Sequence, residues 1–357
     1  MDAAAGARFP SCAWAWPRGG RDLLLRAAIA QDLAEAERAF AAWLTTHDFN
    51  DVTFAEQRLL VAVSARLPAT TEASPVRARL KGIERMLWTH STMTLRAAQP
   101  ALGALVAADI PVMLLKGAAR AALDMRDVRG RFASDVDILV HPAEFDRAYK
   151  TLRAHGWEHN QPGEPDVSRL TGLNLYSGKH GDLDLHRFAF HQLIPADADP
   201  TPLWSRATST TFLGLPVSVP SATDRLLMAI AHGGIDGHQH SDWLVDCAAL
   251  ISDGAVDWPL FERLCAERRL AAHAAIALGY IQHLGINIPA DTLARITTSS
   301  RRSPLSLYSA ILEARPKREH TSLSSIGRGL ARGHRQLVRA MALARLHSQA
   351  RGHAGPM

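Results

Sequence analysis

Residues 114–140 read LLKGAARAALDMRDVRGRFASDVDILV, and residues 181–188 read GDLDLHRF. In the first stretch Asp135 and Asp137 alternate with Val136, Ile138 and Val140. Successive side chains on a β-strand point to opposite faces, so the two carboxylates share one side and the aliphatic residues the other. Asp184, between Leu183 and Leu185, repeats the arrangement on what reads as a neighbouring strand. Carboxylates that converge repel one another and resist ionisation unless a cation lies among them. Oxygen ligands of this kind suit divalent magnesium. Read alone, Asp-x-Asp favours a surface strand with alternating acids, so the residues around it decide the reading.

Ahead of the acids, PVMLLK is a short apolar run after Pro111, as expected of a buried strand, and Gly117 opens the helix-like AARAALDM. RDVRGRF is a loop rich in arginine and glycine. After SDVDILV, Pro142 starts a helix through His155 that Gly156 ends. Leu173–Tyr176 and Asp182–Phe190 read as strands, with Gly178 and Gly181 marking the turn between them. A glycine-opened helix, then Asp-x-Asp on a strand, then a later lone Asp on a strand, resembles the nucleotidyltransferase superfamily of the DNA polymerase beta type. The fuller string of LLKG, SDVDILV, HPAEFDRAYKTLRAHGW, DLDLH and AHGG…HSDWLVDCAAL is similar to a bacterial branch, the uncharacterised nucleotidyltransferase family. The similarity covers residues 100–255.

The resemblance implies an α+β fold of mixed α/β type: a small mixed sheet with flanking helices, and helical regions at both ends of the chain. It implies transfer of a nucleoside monophosphate from a triphosphate, ATP among the candidates, to an acceptor hydroxyl. Two magnesium ions held about 3.5–4 Å apart stabilise the attacking and leaving oxygens in such a reaction. Asp135 and Asp137 are the expected metal ligands, with Asp184 as third ligand and base for the acceptor. Asp182 has the same parity as Asp184, and periodicity does not choose between them; the apolar neighbours on both sides of Asp184 favour it.

For the donor, Lys116 and Gly117 are the expected triphosphate contacts, because a glycine at a strand-to-helix junction lets phosphate reach backbone amides. The wider superfamily reads Gly-Ser or Gly-Gly here, and this chain has Ala118, so the hydroxyl is absent and Lys116 supplies charge instead. The other reading is that Lys116 pairs with an aspartate and Gly117 is a turn residue. The resemblance implies one arginine shortly before the acidic strand that grips phosphate through pairs of oxygens; Arg131 and Arg129 are the candidates, with Arg131 preferred, and Arg126 reads as part of a solvated surface loop. Ser134 either bonds phosphate or caps the strand. His186 shares the face of Asp184 and stands on the acceptor side or packs as an ordinary core histidine. In AHGGIDGHQHSDWLVDCAAL, His238-x-His240 has zinc-like spacing without cysteine support. Trp243 there reads as core, and Asp246 as a cap or an arginine partner.

The chain has 357 residues, 47% of them hydrophobic, and a net charge of +5. That permits phosphate-bearing partners without demanding them. Its three cysteines, Cys12, Cys247 and Cys265, lie far apart, which argues against a disulfide framework or zinc cluster and for a reducing cytoplasm. No stretch approaches the about 18 apolar residues that span a bilayer, and the N-terminus lacks the pattern of a signal peptide.

Three regions are expected: a helical layer over residues 1–99, a catalytic core over 100–220, and a helical region with a basic tail over 221–357. Helices are expected over Asp22–Leu44, from the Thr53/Glu56 capping box to Leu67, from Pro75 toward Ala98, and from Pro100 to Asp109. LGLPVSVP resembles a small hairpin. Further helices are expected over Ser221–Ala231, Asp242–Ile251, Trp258–Glu267, Ala271–Leu284 and Ile326–Leu346. From Arg315 onward Glu319 is the only acid. Leu323, Ile326, Leu330, Leu337 and Met341 form a stripe beside arginines, read as a packed terminal helix with a solvated arginine face. RNA is the alternative partner for that tail. Two other classes of function stay open: a non-catalytic nucleotide-binding or regulatory module, and a toxin-like enzyme acting on transfer RNA.

Overall fold

The structure is a computed structural model that describes residues 10–124, 132–160, 163–190, 193–236, 240–316 and 321–353. It divides into two compact units, Met1–Arg77 with Leu226–Val338, and Ala78–Arg225 with Arg339–Met357. Among the described residues no helix is long and apolar enough to cross a membrane.

In the first unit the expected helix over Asp22–Leu44 is two helices, α1 (Gly19–Ile29) and α2 (Leu33–Thr46). The break falls where Asp32 caps α2 by accepting from the Ala34 amide. A capping aspartate satisfies an otherwise orphan N–H and makes a fresh start cheaper than continuation. The Thr53/Glu56 box opens α3 (Phe54–Arg66), with both reciprocal bonds formed. A short α4 (Pro68–Ala73) follows.

The second unit begins with α5 (Arg77–Ala97) and α6 (Gln99–Ala107), which carry Leu95, Leu102 and Leu105 into its core. Then come β1 (Met113–Leu114), α7 (Lys116–Leu123), β2 (Val136–Leu139) and α8 (Phe145–Ala154). The antiparallel pair β3 (Gly172–Ser177) and β4 (Gly181–His186) is next. A Cβ at Gly181 would lie 2.3 Å from the Ser177 carbonyl oxygen, so only glycine closes this turn. After α9 (Thr201–Ser205), β5 (Thr208–Phe212) and β6 (Leu215–Val219) form a hairpin. The hairpin was expected within LGLPVSVP, but its first strand is the upstream run TSTTF, and Leu213 and Gly214 make the turn at φ 52° and 81°.

All six strands join one mixed sheet, in the order β3-β4-β2-β1-β6-β5. β2 runs parallel to β4 and antiparallel to β1, and β1 runs parallel to β6. One face of the sheet is apolar. Val136, Ile138 and Val140 lie with Leu173, Leu175, Leu183 and Leu185 in a core that α8 completes with Phe145, Ala148, Tyr149 and Leu152. Burying that face fixes which side β2 and β4 turn outward.

Beyond the sheet, α10 (Ala222–Asp236) is capped by Ser221, whose hydroxyl accepts from the Asp224 amide. α11 (Trp243–Ser252), α12 (Trp258–Glu267) and α13 (Ala271–His283) stand close to their expected ranges. Two more helices, α14 (Ala290–Arg301) and α15 (Pro304–Ala314), were not anticipated. Trp243 is buried against Gly233 and belongs to the core. Arg58 reaches Asp242 through both Nε and Nη2 at 2.7 Å.

The last helix, α16 (Ser322–His353), reverses its expected facing. Leu323, Ile326, Leu330, Leu337 and Met341 are 50–82% exposed. The half-buried positions are Ser324, Gly327, Arg328, Ala331, Arg335, Arg339, Ala342 and Leu343. The physical cause is Glu313, which is almost wholly buried and needs cations. Arg335 supplies one at 3.2 Å, beside His273 at 3.0 Å. Gly327 lets α16 approach Leu312 more closely than a larger residue would.

Candidate active site

The parallel register of β2 on β4 places Asp137 opposite Asp184 and Leu139 opposite His186. With Val136 and Leu183 turned into the core, both carboxylates emerge on the other face. Single ligand atoms of Asp137, Asp184 and His186 all lie within 4.8 Å of one another. Asp135, an expected metal ligand, is not in this group; it sits one residue ahead of β2, half-buried, with its Oδ1 3.2 Å from the Ser134 hydroxyl. Asp182, paired with Tyr176 on β3, comes two residues before Asp184 in β4 and is also outside the tight group.

Asp137 is 2% exposed, and two donors converge on its Oδ1: Lys116 Nζ at 2.5 Å and His186 Nε2 at 2.9 Å. An ionised carboxylate only accepts, so His186 carries its proton on Nε2 here. Burial alone would raise the Asp137 carboxyl; the Lys116 ammonium and the His186 bond outweigh it and hold Asp137 well below the usual range. Its neighbours go the other way. Burial first, then the charges of Asp137 and Asp135, push Asp184 up to about 6. Burial, then Asp135 and Asp137, push Asp182 up to about 6 as well. Asp135 is raised by burial and by Asp137, with Lys116 and Ser134 opposing.

Lys116 is positioned by the backbone. It begins α7 at φ 46°, a left-handed conformation that costs a lysine of order 1–3 kcal/mol. The preceding residue is tied to the strand, the Leu115 amide donating to the Asp137 carbonyl at 2.9 Å. Of the two readings of Lys116, the structure forms the ion pair with an aspartate. Gly117 follows inside the first turn of α7. A Cβ there would stand 3.3 Å from that of Ala133, so glycine lets the segment before β2 pass close to the helix start. Arg126, Arg129 and Arg131 lie outside the described residues, as does His238.

Oxygen chemistry fits a hard divalent cation at this place. Oδ1 of Asp184 and Oδ1 of Asp182 are buried without a hydrogen-bond partner. Buried carboxylate oxygens in that condition are costly unless a cation or proton serves them. With the His186 N–H given to Asp137, the candidate ligand atoms that remain are carboxylate oxygens, a set suited to a hard divalent cation.

The model of a nucleotidyltransferase family described as uncharacterised matches residues 53–285. The chain belongs to this uncharacterised nucleotidyltransferase family. No curated protein matches it. Every residue of the acidic site lies within the matched span of the family member, and so does the Asp242–Arg58 pair.

Two features of the site had no sequence signal. The left-handed Lys116 is invisible to periodicity, because lysine is not a residue expected there. Tyr176 shares the acidic face: its hydroxyl is raised by burial, then by Asp182, Asp184 and Asp135. Its place opposite Asp182 is set by the β3–β4 register.

Proposed function

We propose that this chain is a magnesium-dependent nucleotidyltransferase of the DNA polymerase beta type. The observation that carries the reading is the register of Asp137 on Asp184, two acids from distant stretches that meet on one face of the sheet of a nucleotidyltransferase family member. Asp135, Asp137 and Asp184 are the residues that would hold magnesium. Bound there, the ions would supply charge stabilisation for the attacking and leaving oxygens.

The chain's own residues do the remaining work. The start of α7 offers backbone amides beside Gly117, and its dipole favours the donor's phosphates. Lys116, with Arg131 and Ser134 ahead of β2, adds positive charge and hydrogen bonds for the triphosphate. The acceptor oxygen attacks the α-phosphorus, the bond from that phosphorus to the bridging oxygen of the β-phosphate breaks, and pyrophosphate leaves. Asp184, level with Asp137 on the adjacent strand, takes the acceptor's proton. His186 keeps Asp137 oriented through its Nε2 proton. The acceptor is a hydroxyl on a small molecule, a peptide, a protein side chain or an RNA end.

Incubation with each labelled triphosphate, magnesium and a host-cell extract tests the proposal. A labelled product names the donor and the acceptor class. Asp137→Ala is expected to abolish labelling with the fold intact; labelling retained in that variant would remove the metal assignment.

A further inference from the structure

The Lys116–Asp137 contact has a consequence for how the site loads. The ammonium lies 2.5 Å from Asp137 Oδ1, on the face that Asp184 shares. Among the described residues it is a cation placed directly against these acids. The side chain is 28% exposed, so its outer side is open to solvent while its tip is anchored. A glycine at residue 116 would take φ 46° without strain, yet the chain places a lysine there. The strained backbone aims the ammonium at Asp137, one residue ahead of Gly117 at the first turn of α7.

We infer that Lys116 is a built-in counter-ion that makes divalent-metal loading depend on the nucleotide donor. This rests on the metal-dependent reading above. A doubly charged ion at Asp137 and Asp184 would stand beside a singly charged ammonium, and the two repel. A triphosphate at the start of α7 offers Lys116 a second, more highly charged partner within reach of its flexible stem. When the ammonium turns to the phosphates, Asp137 leaves its ion pair and its Oδ1 is freed for the metal. The donor and the metal then bind cooperatively, and by linkage each tightens the other by the same factor.

The experiment measures Mn2+ binding to the metal-free, full-length protein without nucleotide, from the electron paramagnetic resonance signal of free Mn2+. Wild type is compared with Lys116→Gln, Lys116→Met and Lys116→Arg. Gln keeps an N–H donor for Asp137 Oδ1, Met keeps the length, and Arg keeps the charge; circular dichroism reports whether each folds. Loss of the charge is expected to tighten Mn2+ binding by at least about tenfold. Tenfold is 1.4 kcal/mol, well below the repulsion between neighbouring charges at an effective dielectric near 20. Lys116→Arg is expected to bind as wild type does.

Mn2+ affinity unchanged or weakened in a folded Gln or Met variant would overturn the inference while leaving the metal site standing. Failure of wild type and all three variants to bind Mn2+ would remove the metal-dependent reading itself. A third measurement needs no tolerated variant: acetylation of lysines in the wild-type protein, with the site of modification read by mass spectrometry. Protein acetylated at Lys116 is expected to bind Mn2+ tighter than protein acetylated elsewhere, and equal affinity in the two fractions would count against the inference.

Discussion

Replacing Asp184 by asparagine is expected to stabilise the metal-free protein while removing its activity. The Asp184 carboxyl stands level with Asp137 with one buried oxygen lacking a partner, and burial, then the charges of Asp137 and Asp135, raise its pKa from 3.8 to about 6. A rise of about two pH units, at 1.36 kcal/mol each, amounts to about 3 kcal/mol of penalty for ionising this group in the folded state. The sign follows from linkage. A carboxyl whose folded pKa lies above its unfolded one binds the proton more tightly when folded. Its folded state is therefore at no disadvantage below pH 3.8, loses stability as pH climbs, and carries the full penalty above about 6.

Asparagine has the same shape and no charge to repel. The assay is thermal unfolding by circular dichroism in chelator, at pH 7.5 and pH 4. For a unit of this size 1 kcal/mol shifts the midpoint by about 2–4 °C, so Asp184→Asn should melt roughly 5–10 °C above wild type at pH 7.5. Near pH 4 the two should converge. Magnesium should raise the wild-type midpoint and close the gap. A variant that melts lower than wild type at pH 7.5, or gains equally at both pH values, would refute the electrostatic reasoning. Such an exchange of stability for function is common at active sites.

Gly181→Ala should cost about 1–3 kcal/mol in urea unfolding, because its Cβ would press to 2.3 Å from the Ser177 carbonyl in a turn that sets the β3–β4 register. Arg58→Ala should destabilise by about 3–5 kcal/mol, since it leaves the buried Asp242 without its guanidinium; a loss below about 1 kcal/mol would show the pair to be incidental. Leu330→Glu and Leu337→Glu should each change stability by no more than about 0.5 kcal/mol, as both leucines are more than 60% exposed on α16. A packed terminal helix would instead lose several kcal/mol, and a thermal melt separates the two outcomes.

Local chemistry was legible along the chain. The Thr53/Glu56 box, the alternation of acids with aliphatics in β2 and β4, and the glycines of the β3–β4 turn each act within a few residues, so their pattern survives in the linear sequence. Even there some local signals went unread: Asp32 breaks the first helix, and Ser303 with Pro304 opens α15. What periodicity could not supply was anything that depends on which strand lies beside which. Asp182 and Asp184 share a face, and only the pairing of β4 with β2 sets Asp184 level with Asp137. His186 and Lys116 come from opposite ends of the motif, and their meeting on one oxygen of Asp137 follows from the sheet order and a left-handed backbone turn. The facing of α16 was decided in the same way, by a buried glutamate 22 residues upstream of Arg335 that needed a cation more than five exposed side chains needed cover. Sequence spacing sets the face of an element because geometry repeats along the chain, whereas the partner across that face is chosen by contacts between segments far apart in it.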